Sequence, residues 1–295
     1  MTVITLKWRE GEKAPFETFR LFDAVVDGDT VYFQDTDVAK VYSYTASSGW
    51  TSLPNCPYVG SGLAVVNHLL TAIGGNIRSE LTNKLFSLSG EGSEKKWTEV
   101  FPPMPTERRE MTALCTGTSL IVAGGIGTVA FMLTTVEVMN TETRQWCTAA
   151  ALPDPINDFS STICGDQIYM LGGQDKNWHP TNAVYTCSLS ALLQSCSSPS
   201  NVWSRVADCP AQWSTCASLL GQMLAIGGMG YENKIATTAV FVYEPATNSW
   251  TVISHMLSAR SSTLTAVLPG NQLMVVAGTD LDVNKTNTVE FASVE

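Results

Sequence analysis

The segment Gln-Ile-Tyr-Met-Leu-Gly-Gly at residues 167–173 is a short apolar run that ends in two glycines, and variants of it recur along the chain. A run of this length closed by glycine is typical of a buried β-strand that leads into a tight turn. Close copies occupy residues 69–75, 119–125 and 222–228, and altered copies occupy residues 29–35 and 272–278. The first-glycine positions, with Ala277 as the fifth, are 48 to 55 residues apart, which indicates a protein built from repeated supersecondary units.

Each repeated unit predicts four strands. An apolar strand and a turn rich in Gly, Asn or Asp precede the quoted segment, and such turns match the twist of paired strands. A third strand carries Val, Tyr or Phe, and a fourth carries a tryptophan; these tryptophans are Trp50, Trp97, Trp146, Trp203 and Trp250. Four strands, a glycine pair and a late tryptophan predict one blade of a β-propeller.

The two ends of the chain are predicted to complete one blade together. The last unit reaches Glu295 without a tryptophan, whereas residues 2–8 resemble a strand that ends on Trp8. We therefore predict an all-β, six-bladed propeller with four antiparallel strands per blade, closed by pairing of the N-terminal strand with the last blade. The predicted single domain covers residues 1–295, with blades at 17–53, 58–102, 106–152, 156–208, 211–256 and 260–295 plus 1–10.

Composition excludes several classes of function. The chain has 17 Lys and Arg against 27 Asp and Glu, a net charge of −10, so we expect no nucleic-acid partner. No apolar run approaches the ~18 residues of a membrane span, and strand-like sequence follows Met1 at once, so we expect neither a membrane span nor a signal peptide. The eight cysteines form no CxxC pair. We expect mostly buried thiols in a cytoplasmic protein, with a Cys187–Cys196 disulfide possible but not indicated.

The order of these features resembles the kelch repeat: an apolar strand, Gly-Gly, a strand with Tyr or Phe, a tryptophan and a Met-Pro-type turn. Residues 104–108, Met-Pro-Thr-Glu-Arg, resemble the kelch stretch that begins a new blade. The resemblance covers essentially all of the chain, because five or six units are in register. It implies a kelch propeller similar to those at the C-terminus of multi-domain adaptor proteins, although partner domains such as a BTB domain are not part of this sequence.

Propellers that resemble kelch proteins also include enzymes, whose motifs can be sought directly. The copper-oxidase type needs two histidines, two tyrosines and a cysteine near a tyrosine, whereas only His179, of three histidines, falls in a loop that could face the central opening. The Glu-xxx-Asp-xxx-His run of iron-dependent plant propellers is missing, and sialic-acid-converting kelch enzymes offer no residue signature to transfer. We therefore expect no metal, no cofactor and no catalysis.

The resemblance also implies where a partner binds. In the family, the loops after the glycine pairs and the connections between blades share one face, whose shallow bowl holds acidic peptides or other protein segments. The expected partner-binding residues are Arg20, Tyr58, Arg78, Arg108, Glu110, Asp158, Trp178, His179, Trp213, Tyr231 and Arg260. Asn76, Asp175, Glu232 and Asp280 lie in the same loops.

Among these residues, Trp178 and Trp213 are the two tryptophans outside the repeat scheme, and tryptophan is a common hot spot of interfaces. Each could instead pack under its own loop. Arg108 and Arg260 occupy the family's arginine position, where a salt bridge or carbonyl contact that holds a blade junction is the slightly favoured interpretation. The mixture of acidic and basic residues on this face differs from a uniformly basic bowl.

The leading hypothesis is a monomeric, non-catalytic interaction or adaptor module that binds a protein or peptide through the loop face. One alternative is a cytoskeleton-associated structural scaffold, and another is an enzyme that converts a carbohydrate or small molecule. The serine-rich segment 188–202 is predicted to form a flexible loop on the opposite face.

Overall fold

The chain folds into six four-stranded antiparallel sheets around a central axis, as predicted. The structure is a computed structural model that describes residues 4–17, 24–35, 38–78, 80–128, 131–198 and 200–295. The innermost strands of neighbouring blades contact one another around the ring, and the first blade contacts both the second and the sixth. Within the described ranges, no helix has the length and apolar character needed to cross a membrane.

The strands of each blade run from the axis outward in chain order, except that the outermost strand of blade 6 comes from the N-terminus. Blade 1 contains Val25–Asp27, Thr30–Asp35, Lys40–Thr45 and Gly49–Leu53, and blade 2 contains Gly62–Val66, Leu69–Ile73, Leu85–Ser89 and Lys96–Phe101. Blade 3 contains Thr112–Thr116, Ser119–Ala123, Val136–Asn140 and Trp146–Ala149, and blade 4 contains Ser160–Cys164, Gln167–Leu171, Val184–Ser188 and Ser204–Val206. Blade 5 contains Thr215–Leu219, Gln222–Ile226, Ala239–Glu244 and Ser249–His255, and blade 6 contains Leu264–Leu268, Gln272–Val276, Val289–Val294 and Leu6–Glu10.

Smaller elements decorate the connections between these strands. Three pairs of two-residue strands are Asn76–Ile77 with Glu80–Leu81, Arg108–Arg109 with Ile126–Gly127, and Ala211–Gln212 with Met229–Gly230. A 3-10 helix covers Gly92–Glu94, and an α-helix covers Leu189–Ser195.

The N-terminal strand closes the ring, but in a shifted position. Leu6–Glu10 pairs antiparallel with Val289–Val294, from Leu6 opposite Val294 to Glu10 opposite Glu290. The predicted strand was 2–8, of which residues 2 and 3 lie outside the described ranges. The prediction ended too early because Arg9 and Glu10 are charged, yet an outermost strand needs only one apolar face and both residues are exposed.

The apolar core lies between the blades rather than within any one of them. The buried side chains form six clusters in the described part of the chain, and each cluster joins two neighbouring sheets. Ile168 and Met170 of blade 4, for example, pack with Ile121 and Val138 of blade 3, all at most 4% exposed. A blade cannot bury both of its faces alone, so closure of the ring is a condition for a complete core.

The six repeat tryptophans each connect their blade to the preceding one by a hydrogen bond from the indole Nε1. Trp97 donates to the Pro54 carbonyl at 2.9 Å, and Trp250 donates to the Ala207 carbonyl at 2.9 Å. Trp8 donates to the Ser254 hydroxyl at 2.8 Å, so the closing strand follows the same pattern. The remaining donors and acceptors are Trp50 to Glu12, Trp146 to Pro102, and Trp203 to Ala150.

The glycine pairs at 74–75, 124–125 and 227–228 make the complementary connection to the following blade. Gly228 donates its N–H to the Arg260 carbonyl at 2.9 Å. Both glycines have positive φ, 62° for Gly227 and 104° for Gly228, and a Cβ on Gly227 would lie 2.4 Å from that same carbonyl oxygen. Glycine is therefore required by both conformation and close approach. Ala277 stands at the first-glycine position of the altered copy at residues 272–278, and its φ of 58° is also in the left-handed region.

One sequence expectation about blade 4 is wrong, and a disulfide that the sequence did not indicate is present. Residues 188–202 do not form a flexible loop throughout, because Leu189–Ser195 is a helix whose Leu192 is fully buried and whose N-terminus is capped by the Ser188 hydroxyl. Cys196 is disulfide-bonded to Cys147 of blade 3, not to Cys187, which is a free buried thiol. The sequence offered no way to choose the pairing, since the two partners are 49 residues apart and meet only when the blades pack.

Candidate functional site: a bowl on the loop face

A bowl of about 450 Å³ opens on the face that carries the inter-blade connections and the loops after the glycine pairs. Its size is within the range of ligand-binding pockets. Connections and loops from the second to the sixth blade form its wall. The lining residues are Arg109, Glu110, Asp158, Gln174, Trp178, Trp213, Met229, Ser261, Ser262, Thr279 and Val283.

Four of the predicted partner-binding residues meet in this bowl: Glu110, Asp158, Trp178 and Trp213. The repeat explains three of them. Glu110, Asp158 and Trp213 each stand two residues before an innermost strand, as Ser262 does in blade 6. The pseudo-symmetry therefore brings equivalent positions of successive blades to one cavity, and the side chain at each position is free to differ.

A belt of backbone hydrogen bonds holds these equivalent positions. Glu110 donates its N–H to the Gly60 carbonyl, Asp158 to the Glu110 carbonyl, and Ser262 to the Trp213 carbonyl. Glu110, Asp158, Trp213 and Ser262 have φ of 55°, 50°, 57° and 52°. The left-handed conformation is costly for residues with a Cβ, and the repeated hydrogen bond to the neighbouring blade offsets that cost.

The Glu110 carboxylate in the lining of the bowl is held in a fixed position. Glu110 is 4% exposed, and its carboxylate contacts the Arg109 guanidinium at 3.2 Å and accepts a hydrogen bond from the Asn157 amide at 3.1 Å. Asp158 is half-buried beside it in the lining. An anionic group fixed by several partners loses little entropy when a cation binds to it, so this arrangement is suited to recognition.

The aromatic wall of the bowl reaches solvent. Trp178 is 43% exposed and packs edge-on against Phe131 of the neighbouring loop, with ring centroids 5.4 Å apart. Trp178 is fixed by the Asp175 side chain, which accepts hydrogen bonds from the N–H groups of Asn177 and His179 at 2.8 and 3.0 Å. Partial desolvation acts to raise the pKa of Asp175, but these backbone donors and the neighbouring charges of His179 and Lys176 leave its pKa lowered.

Sequence reasoning missed Phe131 and seven of the lining residues, among them Arg109. Phe131, 65% exposed, follows the second glycine pair and could have been found by the same rule that selected Trp178, a large aromatic in a variable loop. Arg109 lines the bowl, whereas the prediction chose Arg108. The family position points to Arg108, but these consecutive residues lie in a short strand and project to opposite sides.

Arg108 and Arg260 are buried inside the blades. Arg108 is 0% exposed, pairs with Glu137 at 3.0 Å and donates to the carbonyls of Gly124 and Thr135. Arg260 is 1% exposed, pairs with Glu290 at 2.9 Å and donates to the Thr288 carbonyl. Burial lowers the pKa of both arginines, and the paired carboxylates act in the opposite direction. The salt-bridge interpretation of these positions therefore holds, and we do not retain them as partner-binding residues.

The other predicted residues lie outside the bowl lining. Tyr58 is half-buried and lies 5.5 Å from the ring of Phe86. Arg78, His179 and Tyr231 are exposed in the surrounding loops. The Lys234 ammonium lies over the Tyr231 ring, 4.9 Å from its centre. Arg20 falls outside the described residues.

A second cavity, of about 320 Å³, lies along the axis between the innermost strands of all six blades. Its lining consists of small, apolar and hydroxyl-bearing residues such as Ala113, Leu114 and Thr162, without a charged side chain. Across the described residues, no three His, Cys, Asp or Glu side chains are close enough to hold a metal ion. Of these two cavities, the bowl is the one that brings charged and aromatic side chains together.

The fold and the bowl define a class: six-bladed propellers that present variable loops on one face. The chain matches the KLHDC2/KLHL20/DRC7 Kelch-repeats domain over residues 60–278, and it therefore belongs to the kelch-repeat family. This confirms the resemblance seen in the glycine pairs and tryptophans.

Curated relatives are distant and longer. Kelch-like protein 25 from Xenopus tropicalis is 24% identical over 261 residues, which cover 72% of this chain and 43% of that protein. Kelch-like protein terF from Aspergillus terreus is 26% identical over 48% of this chain and 32% of that protein. Kelch-like protein 36 from Rattus norvegicus is 26% identical over 67% of this chain and 31% of that protein. The chain thus matches less than half the length of each of these relatives.

Among solved structures, one described as the structure of YjhT is similar over nearly the entire fold. Its TM-score is 0.77 at 14% identity, and the match covers 96% of this chain and 99% of that one. At this identity the similarity shows a shared fold and carries no information about function.

Proposed function

We propose that this kelch propeller is a non-catalytic recognition module whose loop-face bowl binds a peptide segment of another protein. The observation that carries the proposal is the bowl itself, with Trp178 and Trp213 in the wall of one 450 Å³ cavity and Phe131 beside it. A tryptophan that is 43% exposed at the edge of a concave site has apolar area left to bury against a ligand.

Rigid positioning supports the same role. The belt of hydrogen bonds fixes the backbone of Glu110, Asp158 and Ser262, and the Asp175 side chain fixes the loop of Trp178. A preorganised surface spends little free energy on ordering when a ligand binds. The module is proposed to act as a monomer, with the recognised peptide supplied by a different protein.

The relatives' greater length leaves room for an adaptor role, in which the propeller supplies recognition within a larger protein. The cytoplasmic location expected from the sequence is not part of this proposal. The Cys147–Cys196 disulfide is more typical of proteins from oxidising compartments.

A displayed library of random dodecapeptides, selected on the immobilised full chain, tests the proposal. Peptides selected on the unmodified protein should bind Trp178→Ala and Trp213→Ala about 10- to 30-fold more weakly, the loss typical of an interface hot spot. The control is Val252→Ala, which removes an apolar side chain that is 46% exposed on the outermost strand of blade 5.

The selection also separates the alternatives. Some peptides could bind Val252→Ala more weakly than the unmodified protein but bind both tryptophan variants with unchanged affinity. Such peptides would place recognition on the blade edges, as in the scaffold hypothesis, and would refute a binding bowl. Failure to recover any peptide whose affinity depends on either tryptophan would refute it as well.

A further inference from the structure

We propose that the bowl selects an arginine side chain of the bound peptide. The guanidinium stacks on the indole rings of Trp178 and Trp213 and pairs with the carboxylates of the lining, Glu110 and Asp158. This inference rests on the proposed function and names the chemistry that the bowl recognises. It follows from the combination of two indole rings and two carboxylates in one cavity.

The charge of the lining favours a cationic ligand. Glu110 and Asp158 contribute two negative charges and Arg109 contributes one positive charge, so the lining carries a net −1. Arg109 is already committed to Glu110 at 3.2 Å. In the described part of the surrounding loops, acidic Glu80, Asp175, Glu232, Asp280 and Asp282 outnumber basic Arg78, Lys176, Lys234 and Lys285, so the rim does not reverse the sign. A cationic ligand therefore complements the bowl better than an acidic one.

The aromatic residues of the lining also favour a cationic ligand. An indole ring attracts a cation over its face, and burial from water strengthens this attraction. Trp178 and Trp213 are the two tryptophans that do not hold blades together, because the other six donate their indole N–H to the preceding blade. The rings of Trp178 and Trp213 instead line the cavity.

Arginine fits these groups better than lysine. Its guanidinium is planar, so one group can stack on an indole and donate paired hydrogen bonds to a carboxylate at the same time. The ammonium of lysine is strongly hydrated and would give up more of its water shell on entering the bowl.

The test uses peptides from the library selection, each compared with its arginine-to-citrulline and arginine-to-lysine versions. Citrulline keeps the shape of arginine and removes its charge. We expect arginine to be enriched at one position, citrulline to weaken binding at least 10-fold, and lysine to fall between the two. The affinity is read by fluorescence anisotropy at about 0.15 M salt.

Protein variants locate the contact. Asp158→Asn should weaken the arginine peptide about 10-fold and leave the citrulline peptide almost unchanged, a coupling that a purely structural role of Asp158 would not produce. Glu142→Gln is the matched control, because Glu142 is an exposed carboxylate in the turn between the outer strands of blade 3, on the opposite face. It should leave both affinities unchanged.

Enrichment of Asp or Glu in peptides that depend on Trp178 would overturn the inference and leave the proposed function intact. The inference would also be overturned if Asp158→Asn lowered the affinity for the arginine peptide and the citrulline peptide equally. If no selected peptide depends on either tryptophan, the proposed function itself fails, and the inference fails with it.

Discussion

Arg108 and Arg109 are adjacent, yet they occupy opposite environments. Arg108 is fully buried and ion-paired with Glu137, whereas the Arg109 side chain is 34% exposed in the bowl. Strand alternation alone produces this difference, since consecutive side chains point to opposite faces. At the scale of single residues, a shift of one position therefore separates a structural group from one that a ligand can reach.

The two arginines predict very different losses of stability. Arg108→Ala should lower the free energy of unfolding by about 3–5 kcal/mol, because it leaves the buried Glu137 carboxylate uncompensated. Arg109→Ala should cost less, about 1–3 kcal/mol, because Arg109 is partly exposed and Asn157 still donates a hydrogen bond to the buried Glu110 carboxylate. Urea denaturation of the two variants measures both values, and equal losses would contradict the burial that we describe.

Cys209 predicts a pH dependence of stability. Its side chain is 0% exposed, and burial raises the pKa of the thiol from 9.0 to about 11. The folded protein keeps the thiol proton to higher pH than the unfolded chain, so the associated stability is complete below pH 9 and is lost as pH rises from 9 to 11. Compared with Cys209→Ala, the unmodified protein should lose roughly 1 kcal/mol more between pH 8 and pH 10. Parallel stability curves would show that this thiol does not titrate as described.

At the scale of elements, a helix was missed where the sequence suggested a loop. Residues 188–202 are rich in serine, which favours turns and helix caps. Leu189, Leu192 and Leu193 nevertheless face the core of blades 3 and 4 together with Cys196. The decisive information was tertiary, because a seven-residue helix has too few residues to be stable without packing.

The disulfide between blades 3 and 4 should add to stability. It joins cysteines that are 49 residues apart, and the loop-entropy model gives about 4 kcal/mol for closing such a loop. We expect the Cys147→Ala, Cys196→Ala double variant to lose 2–4 kcal/mol of unfolding free energy. Cys187→Ala, which removes a buried free thiol nearby, is the control for packing. Peptide mapping without reductant should recover the 147–196 link, and its absence would contradict the pairing.

The strands themselves could be predicted because each level of the sequence agrees with the next. Apolar runs, glycine pairs and repeat tryptophans recur at one spacing, and each has a physical task that the structure confirms: burial between blades, close approach to the next blade, and a hydrogen bond to the preceding one. Bowl residues could be predicted where repeat position fixed them, as for Glu110, Asp158 and Trp213, or where a large aromatic stands in a variable loop, as for Trp178. Arg109 was missed because its direction depends on local register, which the repeat alone does not reveal.

At the scale of the whole molecule, stability depends on closure. Leu6–Glu10 supplies the outermost strand of blade 6, and Ile4 and Leu6 are buried against blades 5 and 6. A terminal segment is normally dispensable, but here it completes a sheet and covers a core.

Deletion of residues 1–10 tests this dependence. The shortened chain would expose the edge of Val289–Val294 and lose the Trp8 hydrogen bond to Ser254, so we expect a loss of cooperative unfolding together with aggregation. Deletion of residues 1–3 is the control and should leave the unfolding transition nearly unchanged. A cooperative transition of unaltered midpoint in the longer deletion would contradict closure by the N-terminal strand.

The central claim is that recognition takes place in the loop-face bowl. The most direct measurement is photo-crosslinking of a selected peptide that carries a benzophenone next to its most sensitive residue, followed by mass spectrometry of the joined fragments. The account predicts crosslinks within residues 109–110, 174–180, 213 and 279–283, which form or border the bowl. Crosslinks confined to the outermost strands, or to the turns of the opposite face such as residues 140–145, would contradict it.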